Sequence, residues 1–344
     1  MGATLPVLTS YVVEKDSQIT NRVGFLYAIN TVGAIAGVLL AGFILLPTLG
    51  LKGTVWVGVA INFIVFIIAV FISKIAAKSA KQEPDNEDLR TSSQEKDQKA
   101  HIGWMILPIM TLSGIATFVY EVLWTRLLSH ILGGSISAFA IMLASFLSGI
   151  AIGSFIASRF AKTRTQASIY FVICQLGIAI SSVVIYYLLE NNLSTNEGFD
   201  SFSLLAFIVL MPATLFIGGT FPLAVRIYAL NVELAARSSA QVYAWNTLGA
   251  IFGAAIAGFF LVPLLKYEGT ILSMVLLNAS LACVVSIFLV EKNRLPIIAS
   301  IVTLAVLALL YRPLAPETIL RSSSIAPLAN GCLLYTSPSP RDRG

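Results

Sequence analysis

The stretch LYAINTVGAIAGVLLAGFILLP (residues 26–47) recurs at residues 242–263 as VYAWNTLGAIFGAAIAGFFLVP. The copies are 216 positions apart without a gap, and 16 of the 28 residues from 27 to 54 are identical to their counterparts. The same offset places MGATLP (1–6) on IGGTFP (217–222). An apolar composition alone would not keep asparagine, glycine and proline in register, so the sequence contains an internal duplication.

The composition around this duplication belongs to the membrane class. The chain has 344 residues, of which 57% are hydrophobic and 11% charged, with a mean hydropathy of +0.86. Soluble domains carry about a quarter charged residues. The net charge of +5 forms no basic stripe with interleaved aromatic residues, so we expect a lipid bilayer and no nucleic acid as partner.

Nine apolar segments are long enough, or nearly so, to span a bilayer, which takes roughly 20 residues. They fall at 23–47, 51–73, 102–128, 131–158, 167–189, 202–228, 240–264, 270–290 and 296–311. Residues 1–12 are interpreted as the tail of a further helix. The ninth segment is short for a span.

Charges between the segments predict the orientation. Residues 159–166 carry Arg159, Lys162 and Arg164 and are placed in the cytoplasm by the positive-inside rule. Alternation then puts the charged linker at 74–101 inside and the acidic loop at 190–201 outside.

The offset spans six helices, and an even number keeps both copies in the same orientation. Parallel six-helix halves are the plan of major-facilitator (MFS) transporters. We therefore predict an all-α polytopic membrane protein with an MFS-like parallel repeat. Residues 1–73 are the last three to four helices of a truncated first half, and residues 102–290 are a complete second half.

Three motifs resemble the membrane portion of bacterial fused transporter-like/spermidine synthase proteins, a family of polyamine aminopropyltransferase homologues. They are LSGIATFVYEVLWTRLLSHILGGSISAFAIMLASFLSGIAIGS (112–154), FIGGTFPLAVR (216–226) and the repeated YAxNTxGAIxG. The resemblance covers residues 1 to about 320. It implies a bacterial inner (plasma) membrane protein, followed by a soluble aminopropyltransferase domain that binds decarboxylated S-adenosylmethionine and putrescine.

No segment of this chain corresponds to that catalytic domain. Residues 291–331 are predicted to be a short apolar helix and the start of a connection to it. CLLYTSPSPRD (332–342) resembles an in-frame translation of a sequencing adapter, so residues 332–344 are predicted to be non-native; a natural Ser/Pro-rich tail is the alternative. We predict no catalytic residue, no cofactor and no metal ligands for this part of the protein.

Small residues four apart let helix backbones approach closely. The chain has three such glycine pairs, which we interpret as packing contacts, with a sliding surface in alternating access as the alternative. The pairs are Gly33 and Gly37, Gly149 and Gly153, and Gly249 and Gly253.

Polar residues inside the segments are the candidates for a site. Asn30-Thr31 and Asn246-Thr247 occupy equivalent positions in the two copies, and their amides are expected to meet near the pseudo-symmetry axis. Interhelical hydrogen bonding is the simpler interpretation, and a polar substrate or proton site between the halves is the alternative.

Glu121 and Arg126 lie within one apolar segment, where an ionisable side chain is a functional candidate by default. Five residues apart, they do not share a helix face. Glu121 falls near the outer interface, where it either forms a structural ion pair or binds a cation, and Trp124 is predicted to be an interfacial anchor. Arg226, near the inner face, is interpreted as a snorkelling arginine.

Three functions remain open on the sequence. The chain is the membrane domain of a spermidine synthase-like fusion that anchors the enzyme or moves its substrate or product, a polyamine or another small solute. Alternatively, it is an MFS-like transporter without an enzyme domain, or a purely structural anchor.

Overall fold

The fold was examined in a computed structural model, which describes residues 4–13, 15, 18–80, 104–132, 135–193, 202–229, 231–232, 234–290 and 298–303. Within these residues every regular element is helical, as the sequence predicted. The predictions for most of the linker at 74–101, for the loop at 194–201 and for residues 304–344 lie outside the described residues.

Nine α-helices follow one another in the described parts. They are α1 (Thr4–Val12), α2 (Ile19–Leu40), α3 (Leu46–Ala80), α4 (Ile106–Leu132), α5 (Ile136–Phe160), α6 (Arg164–Leu193), α7 (Phe202–Tyr228), α8 (Ala235–Ile256) and α9 (Val262–Leu289). Residues 298–303, inside the predicted ninth segment, are also helical.

The duplication is visible in the backbone. A five-residue π-helical turn, Ala41–Leu45, joins α2 to α3, and an equivalent turn, Ala257–Leu261, joins α8 to α9. Gly50 has φ 64° and ψ −176°, and its counterpart Lys266 has φ 58° and ψ −170°. Both turns and both kinks are 216 positions apart, so the repeated sequence produces a repeated local structure.

The chain reverses direction at the second of these kinks. Gly249 and Gly253 of α8 lie against Thr111 and Ile115 of α4, in ascending order along α4. Beyond the turn, Tyr267 lies near Arg126, at the far end of α4, and Asn278 of α9 returns to Tyr120. α8 and α9 are therefore two antiparallel passes along the same helix.

Six stretches are long and apolar enough to cross a membrane. Two of them, Ile19–Ser73 and Ala235–Leu289, are 55 residues long. At about 1.5 Å per residue, such a stretch is far longer than a hydrocarbon core of about 30 Å, and each contains a kink between two helices. The protein is a multi-pass, all-α membrane protein.

Glycines bring α4 against α8 and α5 against α7. An ideal Cβ on Gly253 would lie 2.6 Å from the Ile115 carbonyl oxygen. A Cβ on Gly149 or Gly153 would lie closer still to Thr214 or Leu215 of α7. By contrast, a Cβ on Gly33 or Gly37 would meet no atom within 4 Å. The packing predicted for that third pair is therefore not made within the described residues.

The helices of the first copy attach to the second half along α2. Ser154 of α5 donates a hydrogen bond to the Gly24 carbonyl oxygen, 3.1 Å away. Phe221 of α7 stacks on Tyr27 with ring centroids 4.8 Å apart, and meets the equivalent Tyr243 edge-on at 6.2 Å. The Phe221 ring is thus contacted by the equivalent tyrosine of each copy.

Candidate functional site

Glu121 opens onto a cleft between three helices of the second half. Its lining residues are Glu121 and Thr125 of α4, Phe139, Met142, Leu143 and Phe146 of α5, and Leu210 of α7. Glu121 is thus a half-buried carboxylate in otherwise apolar surroundings.

Helix periodicity builds this cleft. Glu121 and Thr125 are one turn apart and share a face of α4, while Phe139, Met142 and Phe146 follow the i, i+3, i+7 pattern of one face of α5. The Thr125 hydroxyl donates to the Glu121 carbonyl oxygen, so both polar side chains belong to the same wall. At about 1.5 Å per residue, Glu121 lies about 22 Å along α4 from Ile106, in the half predicted to be outer.

The side chains that line the cleft can attract an organic cation. A carboxylate pairs with an ammonium group, and the pairing is stronger where water is excluded. Aromatic faces attract cations, and a methionine thioether adapts to irregular aliphatic shapes. Glu121, Phe139 and Met142 supply these three features within a single cleft.

Arg126 belongs to a different face of α4. Five residues rotate the helix by about 140° relative to Glu121. The Arg126 guanidinium instead lies 3.6 Å from an ideal Cβ position on Gly258, beside Tyr267. No ion pair between Glu121 and Arg126 is formed among the described residues, so the carboxylate and the guanidinium face different surroundings.

Trp124 corrects a prediction made from the sequence. An interfacial anchor would be exposed at the lipid headgroups, yet Trp124 is 2% exposed and packs in the core of the second half. Its indole nitrogen has no hydrogen-bond partner among the described residues. The reason is its position on α4: it lies four residues after Tyr120, on the buried face.

The two duplicated Asn-Thr pairs do not come together. Asn30 is exposed on α2, whereas the Asn246 side chain lies against Gly114 of α4. Thr31 and Thr247 both donate to the carbonyl oxygen four residues earlier in their own helix, at 2.8 Å. Within the described residues the two amides therefore have different surroundings, because Asn246 packs against α4 whereas Asn30 is exposed.

Arg226 is half-buried and connects two elements. Its Nε donates to the Lys162 carbonyl oxygen at 3.3 Å, which ties the end of α7 to the connection between α5 and α6. The arginine thus contacts protein backbone in addition to any role at the membrane surface.

Sequence reasoning missed a buried polar stripe where α4, α6 and α9 meet. Gln175 donates to the Ser113 hydroxyl at 3.0 Å, and Asn278 donates to the Tyr120 hydroxyl at 3.3 Å. Gln175 and Asn278 are 0% and 1% exposed, and the oxygen of each amide has no partner among the described residues. The offset of 216 could have indicated Asn278, because its counterpart in the first copy is Asn62.

No group of metal-ligating side chains of the kind that holds an ion occurs in the described ranges. Comparison with protein-family models, with curated proteins and with solved structures finds no match for this chain.

Proposed function

We propose that this multi-pass protein is the membrane domain of a polyamine aminopropyltransferase-like fusion of the bacterial inner membrane. In this proposal it has MFS-like parallel halves and passes a small organic cation across the bilayer. The observation that carries the transport function is the cleft at Glu121. A carboxylate is costly in the hydrocarbon region, and its retention in a cleft is typical of a substrate or ion pathway.

The chemistry of the cleft favours an aliphatic diamine or polyamine. Its carboxylate would pair with one ammonium group, and Phe139, Met142 and Phe146 would contact the methylene chain. The resemblance of the motifs at 112–154 and 216–226 to the fused family points to the same substrates. A soluble domain that uses polyamines would then receive its substrate from this membrane domain or pass its product to it.

The test is binding and uptake of radiolabelled putrescine and spermidine by the full chain in proteoliposomes. We expect Glu121→Gln to lower both at least tenfold, because it removes the charge and changes the side-chain volume little. Glu268→Gln is the matched control, since Glu268 is a half-buried carboxylate at the start of α9, outside the cleft. Equal losses in the two variants would contradict the assignment of Glu121.

A transporter without an enzyme domain is the second candidate, and the Glu121 cleft supports it equally well. Reading the source gene beyond residue 331 separates the two. An open reading frame for an aminopropyltransferase domain would support the fusion, whereas a stop codon directly after the last helix would leave only the transporter. If the proteoliposomes neither bind nor take up cations, the remaining hypothesis is that the protein is a structural anchor.

A further inference from the structure

We propose that the elbow between α8 and α9, residues 257–267, binds the phosphate of one phospholipid whose headgroup has a net negative charge. The two residues that hold the phosphate are Lys266 of the elbow and Arg126 of the neighbouring α4. The site lies at the end of α4 that is predicted to be outer. It does not depend on the function assigned to Glu121.

Two basic residues from different helices belong to this elbow. The Arg126 guanidinium lies 3.6 Å from an ideal Cβ position on Gly258, in the π-helical turn, and is near Tyr267. Lys266 directly precedes Tyr267, and both basic residues are exposed. Neither forms an ion pair within the described residues. The elbow therefore presents two positive charges to its surroundings.

The carboxylates nearest to these residues in the sequence face elsewhere. Glu268 is half-buried, with its Oε1 oxygen enclosed by protein, whereas Lys266 is exposed. Glu121 lies five residues before Arg126, on a different face of α4. An anion that approaches the elbow from outside would thus meet the guanidinium and the ammonium group before any carboxylate.

Lys266 is present although two general preferences oppose it. Its φ of 58° suits glycine, and the equivalent residue of the first copy is Gly50, with φ 64°. Strained backbone positions of this kind cluster at ligand contacts and switch regions. The positive-inside rule also makes basic residues less common at the outer surface. A lysine at this position therefore indicates a role for its charge.

The height of the elbow favours a lipid over a dissolved anion. Arg126 lies about 30 Å along α4 from Ile106, which places it at the edge of a hydrocarbon core of about 30 Å, next to the headgroups. Phe259 and Leu264 of the elbow are 79% and 75% exposed, and such side chains are unfavourable in water. Acyl chains would cover them while the phosphate of the same lipid meets Arg126.

The two cations favour a headgroup without a positive group of its own. A planar guanidinium donates two parallel hydrogen bonds to phosphate oxygens, and the lysine ammonium adds a point charge. A phosphodiester carries a single negative charge, so an amine or choline group on the same lipid would be repelled by the second cation. Phosphatidylglycerol has the expected chemistry, and zwitterionic phosphatidylcholine is its comparison.

The experiment measures lipid binding to the purified full chain in detergent by native mass spectrometry. The probes are phosphatidylglycerol and phosphatidylcholine with identical acyl chains. We expect one phosphatidylglycerol molecule to bind at least about fivefold more tightly than phosphatidylcholine, since a basic residue near the membrane surface contributes about that factor. Arg126→Gln should remove most of this preference, because it removes both the charge and the planar fork.

Lys266 offers a variant that separates lipid binding from folding. Lys266→Gly should lower the affinity for phosphatidylglycerol about fivefold, because one charge is lost. It should nevertheless raise the unfolding midpoint, because the backbone strain is released. Lys266→Arg keeps the charge and should retain the affinity to within about twofold.

The matched control is Lys52→Gln. Lys52 is an exposed lysine two residues after Gly50, at the equivalent kink of the first copy. Because it is not part of the proposed site, its loss should change the affinity for phosphatidylglycerol by less than about twofold.

Three results would contradict the proposal. The first is equal affinity for phosphatidylglycerol and phosphatidylcholine. The second is an equal loss in Lys52→Gln and Arg126→Gln, which would show attraction to the overall positive charge rather than to a site. The third is complete displacement of phosphatidylglycerol by inorganic phosphate, because the elbow would then be a site for a dissolved anion.

Discussion

Lys266 occupies a backbone conformation that suits glycine. Its φ of 58° and ψ of −170° lie in a region that costs a non-glycine residue about 1–3 kcal/mol. The equivalent position in the first copy is Gly50, with φ 64°. The same sharp reversal is thus formed with strain in one copy and without it in the other.

This difference predicts opposite changes in stability for substitutions at the two equivalent positions. Lys266→Gly should raise the stability of the bundle by about 1 kcal/mol, because the strain is released and the side chain is exposed. Gly50→Ala should lower it by a similar amount. Thermal unfolding of the purified protein in detergent measures both, and equal midpoints for all three proteins would contradict the backbone geometry.

The buried pair of Gln175 and Ser113 gives a second prediction at this scale. Ser113→Ala leaves the Gln175 amide without its partner in the core, and should destabilise the protein by about 1–3 kcal/mol. Adding Gln175→Leu should restore most of the loss, since both polar groups are then gone. A double-mutant cycle on the unfolding midpoints tests this, and purely additive losses would show that the two groups are not coupled.

At the scale of the elements, glycines decide which helices touch. α5 and α7 are in contact at Gly149 and Gly153, and α4 and α8 at Gly249 and Gly253. Gly218 of α7 also lies against the Ile150 backbone, so the contact between α5 and α7 uses small residues from both sides. In lipid, where apolar side chains gain nothing by leaving the solvent, such close contact supplies the association energy.

A matched pair of alanine variants tests this account of packing. Gly153→Ala should destabilise the bundle by about 1–3 kcal/mol, because its methyl group would collide with the Leu215 carbonyl oxygen of α7. Gly33→Ala in the isolated chain should be neutral or slightly stabilising, since the position is open and alanine favours helix. Unfolding midpoints in detergent compare them, and similar losses at both sites would mean that backbone contact is unimportant.

At the scale of the whole molecule, the two copies define the topology. The kinks at Gly50 and Lys266 are equivalent, and a parallel repeat places both at the same membrane surface. Lys162, in the connection between α5 and α6, should lie at the opposite surface. Lys266, Lys162 and Lys52, which lies two residues after Gly50, are all exposed, so a cysteine at each position is accessible to a chemical label.

Cysteine labelling in intact cells tests this topology. In a background without the native cysteines, Lys52→Cys and Lys266→Cys should both react with a membrane-impermeant maleimide. Lys162→Cys should react only after the membrane is permeabilised, because its loop is predicted to be cytoplasmic. Labelling of Lys52→Cys and Lys266→Cys from opposite sides would exclude a parallel repeat.

The predictable part of this protein follows from local patterns. Hydrophobicity and length predicted the helices, since a bilayer requires long apolar segments with internally satisfied backbones. The repeat at an offset of 216 was also readable from the sequence, and the two copies share their local structure because similar sequences favour similar turns. Glu121 was found as a candidate because an ionisable residue stands out in an apolar run.

Only the tertiary structure decided which side each of these residues faces. Trp124 is buried although its type suggested the interface, and Asn30 and Asn246 are in different surroundings although their sequences match. The Glu121 cleft is lined by residues of three helices. The hydrogen bond from Gln175 to Ser113 joins residues that are 62 positions apart in the sequence. Equivalent positions of a repeat can thus differ in burial, because the presence of a neighbouring helix depends on long-range packing rather than on local sequence.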